Sequence, residues 1–246
     1  MKELTPEQLQ DNWKEFIQLL EDTFEGDRLS RLLIMYDHFE ERMMFAPASG
    51  KEHYHNCHAG GYVEHVLHVT KCAKQLHELW SQNGATINFT EEELVFAAVH
   101  HDLGKLGDLA EDYYVPQDND WWIKNRGEYY KHNPKLQFMT VTDRALFLLQ
   151  HYGVQMTENE YLGLKLTDGL YEEANKSYYI GYTPERSLRT NIAYILHQAD
   201  MMATHIEYDQ WKRGYEEVKA VKEEVKKERQ EKSKKAHDLF KELFDE

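Results

Sequence analysis

Residues 97–105 read AAVHHDLGK, so an apolar helical segment leads directly into two histidines and an aspartate. Burial of an ionisable side chain is costly unless a charge, a hydrogen bond or a metal compensates it. Imidazole and carboxylate groups together suit zinc, iron, manganese or cobalt, and a carboxylate can bridge two ions. The stretch therefore predicts a metal centre where a buried helix ends, with His101 and Asp102 as donors.

Two other stretches also place an ionisable residue on an apolar helix. Residues 60–69 read GGYVEHVLHV, and residues 193–201 read AYILHQADM. His65 and Asp200 each lie among apolar residues that recur with the spacing of one helix face. Packing alone would favour an apolar side chain at both positions, so both residues are candidates for a role beyond packing.

The three stretches together resemble the HD-domain superfamily of metal-dependent phosphohydrolases. That family has a histidine on one helix, a His-Asp pair at the end of another and an aspartate on a late helix. Here those positions are His65, His101 with Asp102, and Asp200, and the resemblance covers roughly residues 50–210. It implies a helical bundle that holds one or two divalent ions with these four side chains. The ion could be Mn, Fe, Zn, Co, Ni or Mg, because histidine and carboxylate sites accept several metals.

A branch of this superfamily binds a second ion through two further histidines, which lie between the His-Asp pair and the last aspartate. The candidates in this chain are His132, in YKHNP, and His151, in LLQHYG. The resemblance then implies that Asp102 bridges the two ions. Tyr152 follows His151 where the cyclic-dinucleotide phosphodiesterases have another histidine, so the chain departs from that branch.

Other residues are candidates for substrate binding. Lys105 follows the His-Asp pair at the distance where members of the superfamily place a phosphate-binding lysine, although it could also be a solvated helix end. The loop before the glycine pair carries His53, His55 and His58. These histidines could contact substrate, as the matching loop does in some family members, or lie on the surface. We expect His58 and Lys105 to bind substrate, and also Arg189, for which ion pairing with nearby acids is the alternative.

Helix signals dominate the chain and predict an all-α fold. Thr5 with Gln8, Thr90 with Glu93 and Thr157 with Glu160 each have the spacing of a capping box, which predicts a helix start. We expect a single HD-type helical domain over residues 1–210, with N-terminal helices and a metal core at about 50–210. A charged helical extension follows over residues 211–246, where lysine and glutamate are abundant. The last core helix is predicted from Thr183-Pro184 to about Tyr208, because a threonine followed by proline is typical of a helix start. Residues 107–135 are predicted to be an irregular excursion without strands.

Composition restricts the partners. The formal net charge of -15 disfavours binding to long nucleic acids, since that binding depends on Lys and Arg neutralising phosphates. A small phosphorylated substrate, most plausibly a nucleotide, is expected instead, and a homo-oligomer stays open. The two cysteines form no C-x-x-C pair, which predicts a reduced, cytoplasmic setting. The first residues lack the apolar run of a signal peptide, and no stretch is apolar enough to predict a membrane span.

The expected function is divalent-metal-dependent hydrolysis of a phosphate ester or anhydride, with Asp102 and Lys105 as catalytic residues. One alternative is an exonuclease-like phosphodiesterase on short single strands, because GGYVEHVLHV resembles bacterial HD-type 3′-to-5′ exoribonucleases. Those enzymes carry an additional nucleic-acid-binding fold that is not recognisable here. Another alternative is a di-iron oxygenase on the same HD scaffold, since its ligand set is similar. The third alternative is a non-catalytic scaffold that a metal stabilises.

Overall fold

The computed structural model describes residues 3–181 and 183–244 and confirms the predicted all-α class. Within these residues a small antiparallel sheet accompanies ten α-helices. The strands are β1 (Tyr114–Pro116) and β2 (Tyr130–His132). The helices are α1 (Pro6–Thr23), α2 (Gly26–His38), α3 (Glu40–Phe45), α4 (Gly61–Gln82), α5 (Glu91–His100), α6 (Asp120–Arg126), α7 (Val141–His151), α8 (Glu158–Lys165), α9 (Lys176–Tyr179) and α10 (Ile192–Phe244).

The short helix α5 lies at the centre of the bundle. Thr90 and Glu93 form the predicted capping box at its start, and each side chain bonds to the backbone N–H of the other residue. Every residue from Leu94 to His100 is buried, because α5 packs against α4, α8 and α10. The chain therefore delivers His101 and Asp102 into the interior directly after α5 ends.

The helix α10 begins later than the sequence predicts. Pro184–Arg186 forms only one 3-10 turn, and Ser187 returns to extended backbone with φ −95° and ψ 143°. The helix starts at Ile192, whose N–H donates to the hydroxyl of Thr190. From there α10 runs 53 residues to Phe244, so no backbone break marks the predicted domain boundary after residue 210. No helix in the described parts of the chain is both long and apolar enough to cross a membrane.

The excursion over residues 107–135 contains the small sheet, which the sequence does not predict. Tyr114 pairs with His132, and Pro116 pairs with Tyr130. Strands of three residues are too short to show an alternating pattern, so their pairing depends on tertiary contacts. The excursion also touches the loop that precedes α4, because the N–H of Glu52 donates to the carbonyl of Gly127 at 2.8 Å.

A buried ion pair joins α2 to α8. The Nη2 atom of Arg28 lies 2.5 Å from Oε1 of Glu160, whose side chain is 0% exposed. The guanidinium of Arg28 also stacks 4.2 Å from the ring centroid of Phe96 and bonds to Glu92 at the surface. Burial raises the pKa of Glu160, so the nearby guanidinium is what favours its charged form.

Candidate metal centre

The structure brings together the four side chains that the family resemblance singles out. His65 comes from α4, His101 and Asp102 follow α5, and Asp200 comes from α10. Nε2 of His65 lies 3.2 Å from Oδ1 of Asp200 and 3.7 Å from Oδ2 of Asp102. Nε2 of His101 lies 3.5 Å from Oδ2 of Asp102 and 3.8 Å from Oδ1 of Asp200. Both imidazole side chains are 1% exposed, whereas the side chains of Asp102 and Asp200 are 12% and 26% exposed, so the cluster is reached by solvent from its carboxylate side.

This donor set fits a divalent ion. The Nε2 atoms of His65 and His101 are buried and have no hydrogen-bond partner, although carboxylate oxygens lie close. Ligand bonds of about 2.0–2.2 Å place neighbouring donors about 3 to 3.6 Å apart around an ion. The observed separations of 3.2 to 3.8 Å are close to this range. The cluster could therefore hold a metal, and it provides the imidazole and carboxylate donors that transition metals accept.

Both histidines are held in the tautomer that a metal ligand requires. Nδ1 of His101 lies 2.7 Å from the carbonyl of Ala98, and Nδ1 of His65 lies 3.0 Å from Oε2 of Glu207. A carbonyl and a carboxylate can only accept, so each Nδ1 carries a proton and donates it. The lone pair of each neutral ring is then on Nε2, which faces the cluster.

Glu207 is a site residue that the sequence interpretation missed. It is 4% exposed on α10, and it accepts hydrogen bonds from Nδ1 of His65 and from Nδ1 of His68 at 2.8 Å. Burial alone would raise the pKa of Glu207, but the two histidines lower it to about 2. Glu207 lies two helical turns after Asp200, and this spacing on one helix face was the available signal.

Replacing Glu207 with alanine is expected to weaken metal binding about 10- to 100-fold, since a carboxylate behind a ligating histidine fixes its ring and raises its basicity. Isothermal titration with Mn²⁺ measures this change. Glu216→Ala, an exposed residue of the same helix, is the matched control and should bind as the unaltered chain does. Equal affinities for the two variants would contradict a positioning role for Glu207.

Positive charge balances the carboxylates of the cluster. Burial alone would lower the pKa of His65, but Glu207 and Asp200 raise it to about 10. Burial alone would raise the pKa of Asp102, but Lys105, His101 and His65 hold it well below its ordinary value. Both aspartates are therefore ionised, and without metal the protonated histidines and Lys105 balance their charge. A bound divalent ion would replace the Nε2 proton of His65 as the neighbouring positive charge.

Lys105 is fixed beside the cluster by a tight turn. Its Nζ lies 2.6 Å from Oδ2 of Asp102, and its side chain is 15% exposed. Lys105 belongs to the 3-10 turn Leu103–Leu106. A Cβ added at Gly104 would lie 2.0 Å from the carbonyl of Val141, so only glycine lets this turn press against the start of α7.

The structure does not bring His132 and His151 into the cluster. His132 is exposed on β2, and its ring packs 4.8 Å from that of Tyr113. His151 is the last residue of α7, exposed at the surface, with its ring 5.1 Å from that of Tyr152. Among the described residues, these two histidines belong to neither group of donors that is close enough to share an ion. The second ion implied by the resemblance therefore lacks these ligands in the structure.

The two other candidates for substrate binding lie elsewhere. His58 is buried in the loop before α4, where its Nε2 is 3.3 Å from Oε2 of Glu64. Arg189 is exposed and lines a cleft of about 830 Å³ with Asn88, and its carbonyl accepts a hydrogen bond from that asparagine. Asn88 precedes the start of α5, whereas His101 follows its end. The ten residues of α5 span about 15 Å, so Arg189 lies far from the cluster.

His55 joins the cluster instead. One ligand atom each from His55, His65 and Asp102 lie within 4.8 Å of one another. Burial, with the positive charges of His65 and Lys105, lowers the pKa of His55 to about 3, so its imidazole is neutral. The sequence marks His55 only as one of three loop histidines, since no helical spacing relates it to the other donors.

Comparison of the chain with protein-family models, with curated proteins and with solved structures gives no match. The helical fold with its buried cluster of histidine and aspartate is compatible with an HD-type site. Support for that resemblance therefore comes from the three sequence stretches and from the geometry of the cluster.

Proposed function

We propose that this chain is a divalent-metal-dependent phosphohydrolase of the HD type, which cleaves a phosphate ester or anhydride of a small nucleotide-like substrate. The observation that supports this proposal most is the buried cluster of His65, His101, Asp102 and Asp200, which has Lys105 at its edge. Imidazole and carboxylate donors beside a fixed ammonium group are suited to a substrate that carries phosphate.

Each residue of the cluster has a distinct role in this proposal. The four donors would hold the ion, which when bound supplies an activated water and neutralises phosphoryl oxygens. Asp102 also accepts the 2.6 Å contact from Lys105, and so it fixes that ammonium group next to the centre. A fixed positive charge there stabilises the negative charge that develops on phosphoryl oxygens during cleavage. His65 is kept in its orientation by Glu207.

The proposal is tested by hydrolysis of a panel of ribonucleotides, deoxynucleotides and short oligonucleotides with Mn²⁺ or Fe²⁺ supplied. We expect selective cleavage that requires the metal and that is lost when Asp102 is replaced. No cleavage of any phosphate ester would count against the proposal. Iron content and oxygen consumption would then test the oxygenase hypothesis. Cleavage that is as fast without added metal as with it would contradict the proposed centre.

A second candidate function is phosphodiester cleavage of short single strands, and one cleft favours it. The cleft has a volume of about 440 Å³ and includes His53, Lys124, Arg126, Trp211 and Tyr215. The rings of Trp211 and Tyr215 stack with their centroids 5.5 Å apart. Aromatic side chains next to cations are the usual platform for bases of a single strand. His53, which lines this cleft, belongs to the same loop as His55, although none of the four donors lines the cleft.

Replacing Trp211 with alanine tests this second candidate. Loss of one base-stacking contact worth about 1–3 kcal/mol should raise KM for an oligonucleotide roughly 5- to 150-fold, with little change for a mononucleotide. Tyr171→Ala is a suitable control, because Tyr171 is 82% exposed and does not line the cleft. An unchanged KM for oligonucleotides would exclude the cleft as a base-binding site.

A further inference from the structure

We propose that His55 is a fifth protein donor to the metal centre, contributed by the loop between α3 and α4. This inference rests on the proposed metal centre, but it does not depend on which reaction occurs there. It replaces the expectation that additional histidines come from positions 132 and 151.

The position of the His55 ring supports this role. Its ring centroid lies 4.5 Å from that of His65, and the two planes meet at 36°. Its Nε2 atom is buried and has no hydrogen-bond partner. Burying a polar nitrogen without a partner is costly, and few are left so without a reason. An ion bound between His55, His65 and Asp102 would satisfy this atom together with the unpartnered Nε2 atom of His65.

The backbone around His55 is held in an unusual conformation. The hydroxyl of Ser49 donates to the carbonyl of His55 at 2.6 Å, and the N–H of Ala48 donates to the carbonyl of Asn56 at 3.1 Å. Asn56 has φ +42°, in the left-handed region that is uncommon for residues other than glycine. Such a conformation persists only when its surroundings fix it, and it is often found at functional sites.

The loop is also pressed against the helix that carries His65. A Cβ added at Gly61 would lie 2.0 Å from the carbonyl oxygen of Asn56, so glycine is needed for this close approach. Gly61 begins α4, and His65 lies about one turn further along that helix. The segment that follows His55 is thus fixed relative to His65, which places the two rings in a set geometry before any ion binds.

A fifth donor has a consequence for the choice of metal. The structure places His55 with His65 and Asp102, and places His101 and Asp200 with the same His65. If one ion is shared by both groups, as we propose, it would have three imidazoles and two carboxylates as donors. Structural and catalytic zinc sites usually take three or four protein ligands in a tetrahedron. Five protein donors favour an ion that accepts five or six ligands, such as Mn²⁺, Fe²⁺, Co²⁺ or Ni²⁺. An octahedral ion would then keep one position for water or substrate.

The test compares His55→Ala with His53→Ala in the full chain, using Mn²⁺ alone as the probe. His53 is a matched control because it lies in the same loop but is exposed, with its ring against Tyr54. Isothermal titration should show at least about tenfold weaker Mn²⁺ binding for His55→Ala. Losing a residue that only hydrogen-bonds to a metal ligand already weakens metal affinity by that factor. His53→Ala should bind as the unaltered chain does.

Pulsed EPR of the Mn²⁺ complexes provides a second readout, because it counts coordinated imidazoles. We expect three in the unaltered chain and in His53→Ala, and two in His55→Ala. Two imidazoles in the unaltered chain would overturn the inference. The inference would also be overturned if His132→Ala or His151→Ala lost a coordinated imidazole while His55→Ala lost none.

Thermal unfolding in EDTA separates metal binding from folding. His55→Ala removes a buried nitrogen without a partner, so it should be no less stable than the unaltered chain when metal is absent. His55→Gln provides a second variant that fills more of the same space. If both variants keep full Mn²⁺ affinity, the inference fails while the four-residue centre stands. If the unaltered chain binds no Mn²⁺, the centre itself fails, and the inference fails with it.

Discussion

Asp102→Ala is expected to remove tight metal binding and to lower metal-dependent hydrolysis by at least about 10³-fold in kcat/KM. The carboxylate of Asp102 lies within 4 Å of three basic groups, at 3.7 Å from His65, 3.5 Å from His101 and 2.6 Å from Lys105. Its removal deletes one metal donor and also frees the lysine that it fixes. No other carboxylate contacts Lys105 among the ion pairs of the described residues.

Metal content after dialysis against Mn²⁺ and turnover of the best substrate measure this prediction. Asp102→Asn keeps the size of the side chain and an oxygen near Lys105, so it tests the loss of charge when the alanine variant folds poorly. Asp27→Ala is the surface control, because Asp27 is 79% exposed and pairs only with Arg31. Retention of both metal and activity in Asp102→Ala would refute the assignment.

Arg28→Met should be the most destabilising of the substitutions considered, at about 3–5 kcal/mol of unfolding free energy. The change leaves Glu160 as a buried carboxyl group without its cation, at 0% exposure. Burial raises the pKa of Glu160, so the variant must either keep an uncompensated charge or take up a proton. Methionine retains much of the apolar contact with Phe24 and Phe96, so the loss is mainly electrostatic.

Urea unfolding of Arg28→Met and two further variants tests this explanation. Glu92→Gln removes the exposed partner of Arg28 and should change stability by no more than about 1 kcal/mol. Arg28→Met with Glu160→Gln removes both buried charges and should recover much of the loss. Glutamine at 160 also preserves the capping box of α8 with Thr157. A double variant no more stable than Arg28→Met would show that the loss is not due to the unpaired carboxylate.

Local signals predicted most of the helices. The capping boxes at Thr5, Thr90 and Thr157 all mark observed helix starts, because a cap depends on residues only three positions apart. The start of α10 was misplaced, since Thr183-Pro184 has the same local signal but begins only one 3-10 turn. The small sheet was missed because its pairing joins residues that are distant in the sequence.

The residues of the candidate site also differ in how well local sequence signals predicted them. His65 and Asp200 could be selected because each lies on an apolar helix, and His101 with Asp102 because the pair directly follows one. The structure brings the four side chains together. His132 and His151 were candidates because of the family resemblance, His151 at the end of an apolar helix and His132 in an irregular segment, but tertiary packing leaves both at the surface.

Glu207 and His55 were the harder residues to find. Glu207 lies in a polar part of α10, where an acid is unremarkable until His65 and His68 are seen to donate to it. His55 reaches the centre through the left-handed turn at Asn56, and no spacing along the chain predicts that turn.

The unbroken helix α10 also has a mechanical consequence. Its 53 residues correspond to a rod about 80 Å long, and both Asp200 and Glu207 belong to its first third. A stiff rod transmits torque, so a twist or tilt applied far along α10 would move these two carboxylates together. One of them faces Nε2 of His65 and the other holds Nδ1, so such a movement would shift both ends of the same imidazole in step. The position of α10 relative to α4 therefore sets two contacts of the same imidazole at once.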